Sequence, residues 1–388
     1  MSNKIVEAGM SAERIERVRQ FILGYINAGK HFGAEIMVAR NGHIALHETF
    51  GFRGPEREEP LPPNSVYSIF SVSKTFTSVL ALMAIEKGLL SLTTKVSEII
   101  PEFRGGRREN VTLYHLLTHQ SGLPMTFTPV PGMYIDRLDE VVETICKSIQ
   151  CESEPGAEAS YSPTVNHCLM GEMVRRVDPK QRCFRDIATQ DLFEPLKMKD
   201  TSFGLRRDLR ERHIKPVWLW DKSPLKHLGH SNYGPDGAFE EEHAEMPWVG
   251  VSTTVADLFR LAEALRRGGQ LDGARILSPV TTGQMQINRT GEKINQLHGK
   301  NAIQRGWEPM PCYSGLGVFL RGTAVCHIQF GTLTSPNTFG QHGMGSALYW
   351  VDPAHQVTFV FLSHGVMIEG ESFERFQRLS DLIITSVV

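Results

Sequence analysis

Between residues 11 and 28, apolar side chains recur at Ile15, Val18, Phe21, Ile22, Tyr25 and Ile26. That spacing of three and four places them on one stripe of a helix. Ser11 stands where an N-cap is expected, and Gly29 where the helix should stop. The pattern then changes period. Residues 34–40 and 43–47 are β-prone runs joined by Asn41-Gly42. Both residues of a tight hairpin turn need positive φ, so this pair is a strong hairpin signal. From Ser71 to about Leu205 the chain reads as helices and polar loops, with helices predicted over 73–87, 113–118, 138–148 and 165–177. A polar stretch from His213 to Glu245 reads as a long ordered loop over one face. Helical spacing returns over 253–267 and ends at Gly268-Gly269. The last hundred residues predict strands at 313–320, 325–330, 346–351 and 357–363, with Asp352-Pro353 as a turn, and then a closing helix over 371–388.

Strands near both termini, with helices between, predict an α+β fold: one antiparallel sheet flanked by N- and C-terminal helices, with a mostly helical domain inserted. The expected division is residues 1–70 with 250–388 for the sheet domain, and 71–249 for the insertion carrying long loops.

Composition narrows the function. The 388 residues have room for two or three core-bearing units. Apolar residues at 41% and charged residues at 22% describe a globular chain, not a disordered or fibrous one. Lys plus Arg is 41 against 43 Asp plus Glu, a net charge of −2. That balance leaves no electrostatic footprint for nucleic acid and no polybasic hook for a membrane surface. No apolar run approaches the ~20 residues that span a bilayer. The N-terminus lacks the apolar stretch of a signal peptide. Cys146, Cys151, Cys168, Cys183, Cys312 and Cys326 form no C-x-x-C pair and read as reduced thiols, so a cytoplasmic location is expected.

The chemistry concentrates at Tyr67-Ser68-Ile69-Phe70-Ser71-Val72-Ser73-Lys74, followed by an apolar helical run from Val79 to Ile85 and a stop at Gly88. A serine hydroxyl is a poor nucleophile until a base takes its proton. Lys74, three residues after Ser71 at a helix start, shares its face, and burial would lower its pKa enough to accept that proton. Ser223-Pro224-Leu225-Lys226 repeats the Ser-x-x-Lys spacing without a helical run behind it and reads as coincidence. On local pattern alone, Ser71 could equally be a plain helix cap with Lys74 solvated.

Taken with Leu89-Leu90-Ser91-Leu92, Val111-Thr112-Leu113-Tyr114-His115-Leu116-Leu117-Thr118-His119-Gln120-Ser121-Gly122-Leu123, Gly250-Val251-Ser252-Thr253-Thr254, Gly268-Gly269-Gln270-Leu271-Asp272-Gly273 and Ile276-Leu277-Ser278-Pro279, this segment resembles the serine β-lactamase and penicillin-binding-protein superfamily. The resemblance is strongest to its class C branch and to the family VIII carboxylesterases. It runs from about residue 15 to the C-terminus.

The resemblance implies a tyrosine partner on a loop of the helical domain, and Ser160-Tyr161-Ser162-Pro163 fits. Tyr161 would share the Ser71 proton with Lys74 and deliver it to the leaving group. A phenol does this only where neighbouring cations favour the phenolate. β-Lactamases carry Asn two residues after this tyrosine, where this chain has Pro163, so esters are favoured over β-lactams. The resemblance also implies a short strand beside the nucleophile, matched by Phe339-Gly340-Gln341-His342-Gly343-Met344-Gly345-Ser346. Many relatives carry His or Lys where Gln341 stands. Gln341 takes that place by spacing, and His342 remains a ligand-facing candidate, since alternation lets only one of the two face the site. Gly343 would let substrate lie against the strand. The Met344 N–H, with that of Ser71, would bind the oxyanion.

Other signals weigh less. His115 and His119 are four apart, but Leu116 occupies the place of the Glu in H-E-x-x-H, so no metal is expected. No Gly-x-Ser-x-Gly elbow and no strand-borne Gly-x-Gly-x-x-Gly occurs. Trp218, Trp220 and Tyr233 are candidates for a pocket wall. The expectation is a serine hydrolase that cleaves small carboxylic esters through an acyl-enzyme, with no cofactor. Its rivals are an acyltransferase, a D-peptidase or weak β-lactamase on the same fold, or a catalytically silent scaffold.

Overall fold

The structure is a computed structural model describing residues 2–220, 223–225 and 237–388. Lys226 and Tyr233 lie outside these residues. A six-stranded antiparallel sheet is drawn from both ends of the chain: β1 (Gly33–Arg40), β2 (His43–Gly51), β3 (Phe319–Leu320), β4 (Phe339–Gly343), β5 (Ala347–Asp352) and β6 (Val357–Ser363). Their order across the sheet is β3-β4-β5-β6-β1-β2. The β1–β2 hairpin turns at Asn41 (φ 52°) and Gly42 (φ 82°), the left-handed pair its sequence demands.

Both faces of the sheet are covered, and this explains why every residue of β6, Val-Thr-Phe-Val-Phe-Leu-Ser, is buried. One face carries Ile36, Val38, Leu348, Trp350, Phe359 and Phe361 and packs against the terminal helices. These are α1 (Ala12–Asn27), capped by the Ser11 hydroxyl at the Arg14 N–H, and a C-terminal helix over Glu369–Ile384. The other face carries Met37, Tyr349, Val351, Val360 and Leu362 and joins the larger core. Helix α2 (Ser73–Glu86) runs through that core, with every residue from Ser73 to Leu82 buried. A helix with no solvated face leaves Lys74 no route for its amine to reach water. Against α2 lies α3 (Val165–Arg176), and α4 (Val255–Arg266) lies on the inner sheet face.

Several expectations need correction. Within 313–320 only Phe319–Leu320 is strand, because the segment bends through Tyr313 (φ 26°) and Gly317 (φ 77°). Residues 325–330 form no strand. The buried Arg321 guanidinium instead donates to the carbonyls of Ala324, Gly331 and Thr332, and that holds the segment as a loop. Helix 113–118 ends at Leu117, and His119 has φ 55°, so His115 and His119 do not share a helix face. One helix near the site was not foreseen, α5 (Gln296–Gln304), whose sequence Gln-Leu-His-Gly-Lys-Asn-Ala-Ile-Gln is too polar to show a stripe. The Asn295 side chain caps it by accepting from the Leu297 and His298 N–H groups. The C-terminal helix over Glu369–Ile384 is α6.

Among the described residues no helix is long and apolar enough to cross a membrane, and no cluster of metal-ligating side chains occurs. All six cysteines are free.

Candidate active site

Ser71 sits in a single 3₁₀ turn, Phe70–Val72, that leads directly into α2. Phe70 holds a φ of 47°. A left-handed bulky aromatic costs about 1–3 kcal/mol and persists only where packing enforces it. Here the Phe70 ring is wedged against Phe239 (5.1 Å) and Trp218 (5.8 Å). The bend leaves Ser71 half-exposed while its neighbours Phe70 and Val72 are buried.

One turn on, the Lys74 amine lies 3.2 Å from Ser71 Oγ and 3.0 Å from the Trp248 carbonyl oxygen. Lys74 is fully buried, and among the described residues no carboxylate pairs with it. Burial alone therefore holds its pKa well below the ordinary lysine value. Burial disfavours the charged form of this amine, and at this distance from a hydroxyl it is placed to accept a proton.

The structure brings Tyr161 to the same place. The Lys74 Nζ lies 5.2 Å from the centroid of its ring. Tyr161 is 4% exposed. Burial pushes its phenol pKa up and the Ser71 hydroxyl pulls it down, yet among the described residues no group meets the phenol oxygen in hydrogen-bond geometry. The Tyr161 loop docks on His119: the Ser160 N–H donates to the His119 carbonyl (2.8 Å) and the Ser162 N–H to His119 Nδ1 (3.2 Å). The His119 ring also lies 4.9 Å from the Tyr161 ring, tilted by 47°. His119 therefore works as a packing and hydrogen-bonding residue, and burial beside Lys74 lowers its pKa to about 3. His115 caps its own short helix through Nδ1 at the Thr112 N–H.

Strand β4 runs beside the Ser71 turn. A side chain at Gly343 would collide with the Ile69 carbonyl, so only glycine lets the strand approach the Ser71 turn this closely. Gln341 and His342 point to opposite sides of the sheet. Gln341 pairs with Tyr349, whose hydroxyl donates to Thr75 of α2, so its side chain is on the α2 side. Its Oε1 accepts from the neighbouring His342 N–H (3.1 Å). His342 faces Phe373 (4.9 Å), His298 (5.5 Å) and Phe319 (6.3 Å). Burial and His298 lower its pKa to about 3. Neither residue supplies a positive charge near neutral pH.

Met344 follows, half-buried, and lines a cavity of about 380 Å³ with Phe127, Trp220, Leu297 and Ile368. Trp220 is thus a wall of this space, whereas Trp218 packs on Phe70. A second cavity of about 530 Å³, beside Arg53, Arg210 and His213, has none of Ser71, Lys74, Tyr161 or Met344 in its lining. Sequence reasoning missed Trp248, His298 and Glu369. They lie far from Ser71 in the chain and belong to no recognisable motif.

A Ser-x-x-Lys turn at the head of a buried helix, a glycine-rich strand alongside it and a sheet built from both chain ends define a hydrolase fold of the serine β-lactamase and penicillin-binding-protein type. The chain belongs to the Beta-lactamase family, whose profile matches residues 10–380. Protein flp of Staphylococcus aureus (strain MW2) is 29% identical over 176 residues, 44% of this chain and 34% of that protein. The matched stretch thus spans about a third of that relative. The fold matches a penicillin-binding-protein homologue from Caulobacter crescentus with a TM-score of 0.77 at 23% identity, covering 97% of this chain and 99% of the other. It matches a family VIII carboxylesterase with a TM-score of 0.74 at 19% identity, covering 96% and 98%. At these identities the likeness is one of fold.

Proposed function

We propose that the protein is a serine hydrolase that cleaves small carboxylic esters through an acyl-enzyme. The observation that carries this reading is the 3.2 Å contact between Ser71 Oγ and a buried Lys74 amine that meets no carboxylate among the described residues. The Lys74 amine takes the Ser71 proton as Oγ bonds to the ester carbonyl carbon. The carbonyl π electrons move to oxygen, and the Ser71 and Met344 amides receive that charge. As the tetrahedral adduct collapses, the C–O bond to the alcohol breaks and Tyr161 gives the leaving oxygen a proton, which Lys74 replaces. Water then attacks the acyl-serine and its proton passes to the Tyr161–Lys74 pair, which returns it to Ser71 Oγ as the acyl–oxygen bond breaks and the acid is released.

Esters fit better than β-lactams because Pro163 supplies no side-chain amide where β-lactamases carry Asn. The cavity beside Met344, walled by Phe127, Trp220, Leu297 and Ile368, suits an apolar acyl or alkyl group. The fold neighbours include a family VIII carboxylesterase, which agrees with this choice.

A fluorophosphonate probe should label the wild-type protein covalently and leave Ser71→Ala unlabelled. Short-chain p-nitrophenyl esters should turn over, with nitrocefin hydrolysis feeble at most. Labelling that persists in Ser71→Ala removes Ser71 from its role. Absence of any labelling of the wild type favours a silent scaffold, and efficient nitrocefin turnover reverses the substrate preference.

A further inference from the structure

The two amides assigned to the oxyanion come from segments far apart in the chain, Ser71 from the turn before α2 and Met344 from the turn after β4. Donors of this kind act only at a fixed spacing, and a misplacement of about 1 Å costs on the order of 10²-fold in rate. One tie between the two segments is direct. Gly343 stands so close to the Ile69 carbonyl that a Cβ would not fit.

A second tie runs through other parts of the chain. Gly345 (φ 63°) lies against the Met367 backbone, where a Cβ would again collide, and the Met367 N–H donates to the Gly345 carbonyl at 3.4 Å. Just before Met367, Gly365 and Val366 pair in parallel with Val217 and Trp218. The Val217 N–H donates to the His364 carbonyl (2.7 Å) and the Leu219 N–H to the Val366 carbonyl (3.1 Å), so the Trp218 backbone is fixed on both sides. The same segment is anchored upstream, where His213 pairs with Val66 and its Nε2 lies 3.1 Å from Ser68 Oγ. The Trp218 ring then reaches the Phe70 ring at 5.8 Å, and Phe70 precedes Ser71. The contacts close a ring from Ile69 to Gly343, Gly345 to Met367, Val366 to Trp218, and Trp218 to Phe70.

Phe70 is the weak member of that ring, because its φ of 47° relaxes unless neighbours enforce it. Phe239 holds it from within the core, and Trp218, half-buried, holds it from the side of Val366. Trp218 is absent from the lining of the cavity beside Met344, so it is not part of the space offered to substrate. We infer that Trp218 is a positioning residue that acts through Phe70: its ring holds the left-handed residue in place and so sets the spacing between the Ser71 and Met344 amides. This inference rests on the reading of Ser71 as the nucleophile and of those two amides as the oxyanion donors.

The test measures kcat and KM with a short-chain p-nitrophenyl ester, and the rate of fluorophosphonate labelling, for the wild type, Trp218→Ala, Trp218→Phe, Phe70→Gly and the double variant Phe70→Gly with Trp218→Ala. Trp218→Ala should lose about tenfold or more in kcat with KM within about twofold, because the amides serve the transition state more than the bound ester. Labelling at Ser71 should slow with it, since the phosphonyl oxygen meets the same amides. Trp218→Phe keeps a ring against Phe70 and should retain about half of the wild-type kcat or more. Glycine holds a positive φ without a packing ring, so Trp218→Ala should cost less than about twofold in the Phe70→Gly background. A merely structural role predicts equal losses in the two backgrounds. Equal losses, a folded Trp218→Ala with wild-type kcat, or a loss confined to KM overturns this inference alone. Should Phe70→Gly not fold, the two Trp218 variants decide, and a Trp218→Phe as slow as Trp218→Ala overturns it. A wild type that neither labels at Ser71 nor turns over ester overturns the hydrolase reading and this inference with it.

Discussion

The Arg375 guanidinium donates to the Gly345 carbonyl oxygen at 2.8 Å, one residue beyond the amide assigned to the oxyanion. Arg375 is 1% exposed and meets no carboxylate among the described residues. Its other terminal nitrogen reaches His31 Nδ1 (2.9 Å) and Ser363 Oγ (3.3 Å), and its plane lies near the rings of Phe361 and Phe376. Burial lowers its pKa to about 9, still charged at neutral pH. The charge is retained at a cost, and what it secures is the turn after β4.

Arg375→Met should therefore strand the Gly345 oxygen and loosen the Met344 amide. The expected loss is roughly 3 kcal/mol of stability, typical of a broken buried polar network. Ester turnover should fall at least tenfold in kcat. Urea unfolding and steady-state kinetics on the same preparation check both.

Lys74→Met should abolish turnover and yet stabilise the fold. The amine sits on a helix with no solvated face, and its removal relieves a desolvation cost that no carboxylate among the described residues offsets. Removing a buried amine whose desolvation is met only by contacts to Ser71 and Trp248 should gain about 1–3 kcal/mol. A higher urea midpoint with kcat lowered by a factor on the order of 10² to 10⁴ is the expected result, and a lower midpoint counts against a strained base.

Acidification should weaken the protein well before its surface carboxylates protonate. His342 and His119 stay neutral in the folded state down to about pH 3. In the unfolded chain they take up protons near 6.5. The unfolded state therefore binds more protons between pH 6.5 and 3, and stability falls with pH across that window. Glu369, with its pKa lowered to about 2, adds to the loss below about 4.5. His342→Phe, which keeps an aromatic ring against Phe319 and Phe373, should lose less stability than wild type between pH 7 and 4. Urea midpoints at the two pH values provide the comparison.

How much of this was visible beforehand depends on distance along the chain. The α1 cap at Ser11, the Asn41-Gly42 turn and the helix over Leu138–Ser148 are local events, written in consecutive residues. The strand expected over 325–330 failed because β-propensity there lost to a single buried Arg321 gathering loop carbonyls. Helix α5 escaped notice because its apolar content is low and its cap, not its periodicity, starts it. Tyr161 was reached only through family resemblance, and the structure then placed its ring 5.2 Å from Lys74.

Ser71 and Lys74 could be paired from the amino-acid order alone, because one helical turn brings residues three apart onto one face. The order could also place hydrophobic stripes and turns, whose causes lie within a few residues. Only the folded chain decided that Lys74 would be buried against the Trp248 carbonyl, 174 residues away, and that its amine would meet no carboxylate among the described residues. It likewise decided which way Gln341 and His342 would face, and that His298 and Glu369 would meet beside the phenol. Proton affinity is set by the groups packed around a side chain, and those neighbours are chosen by long-range contacts rather than by sequence spacing.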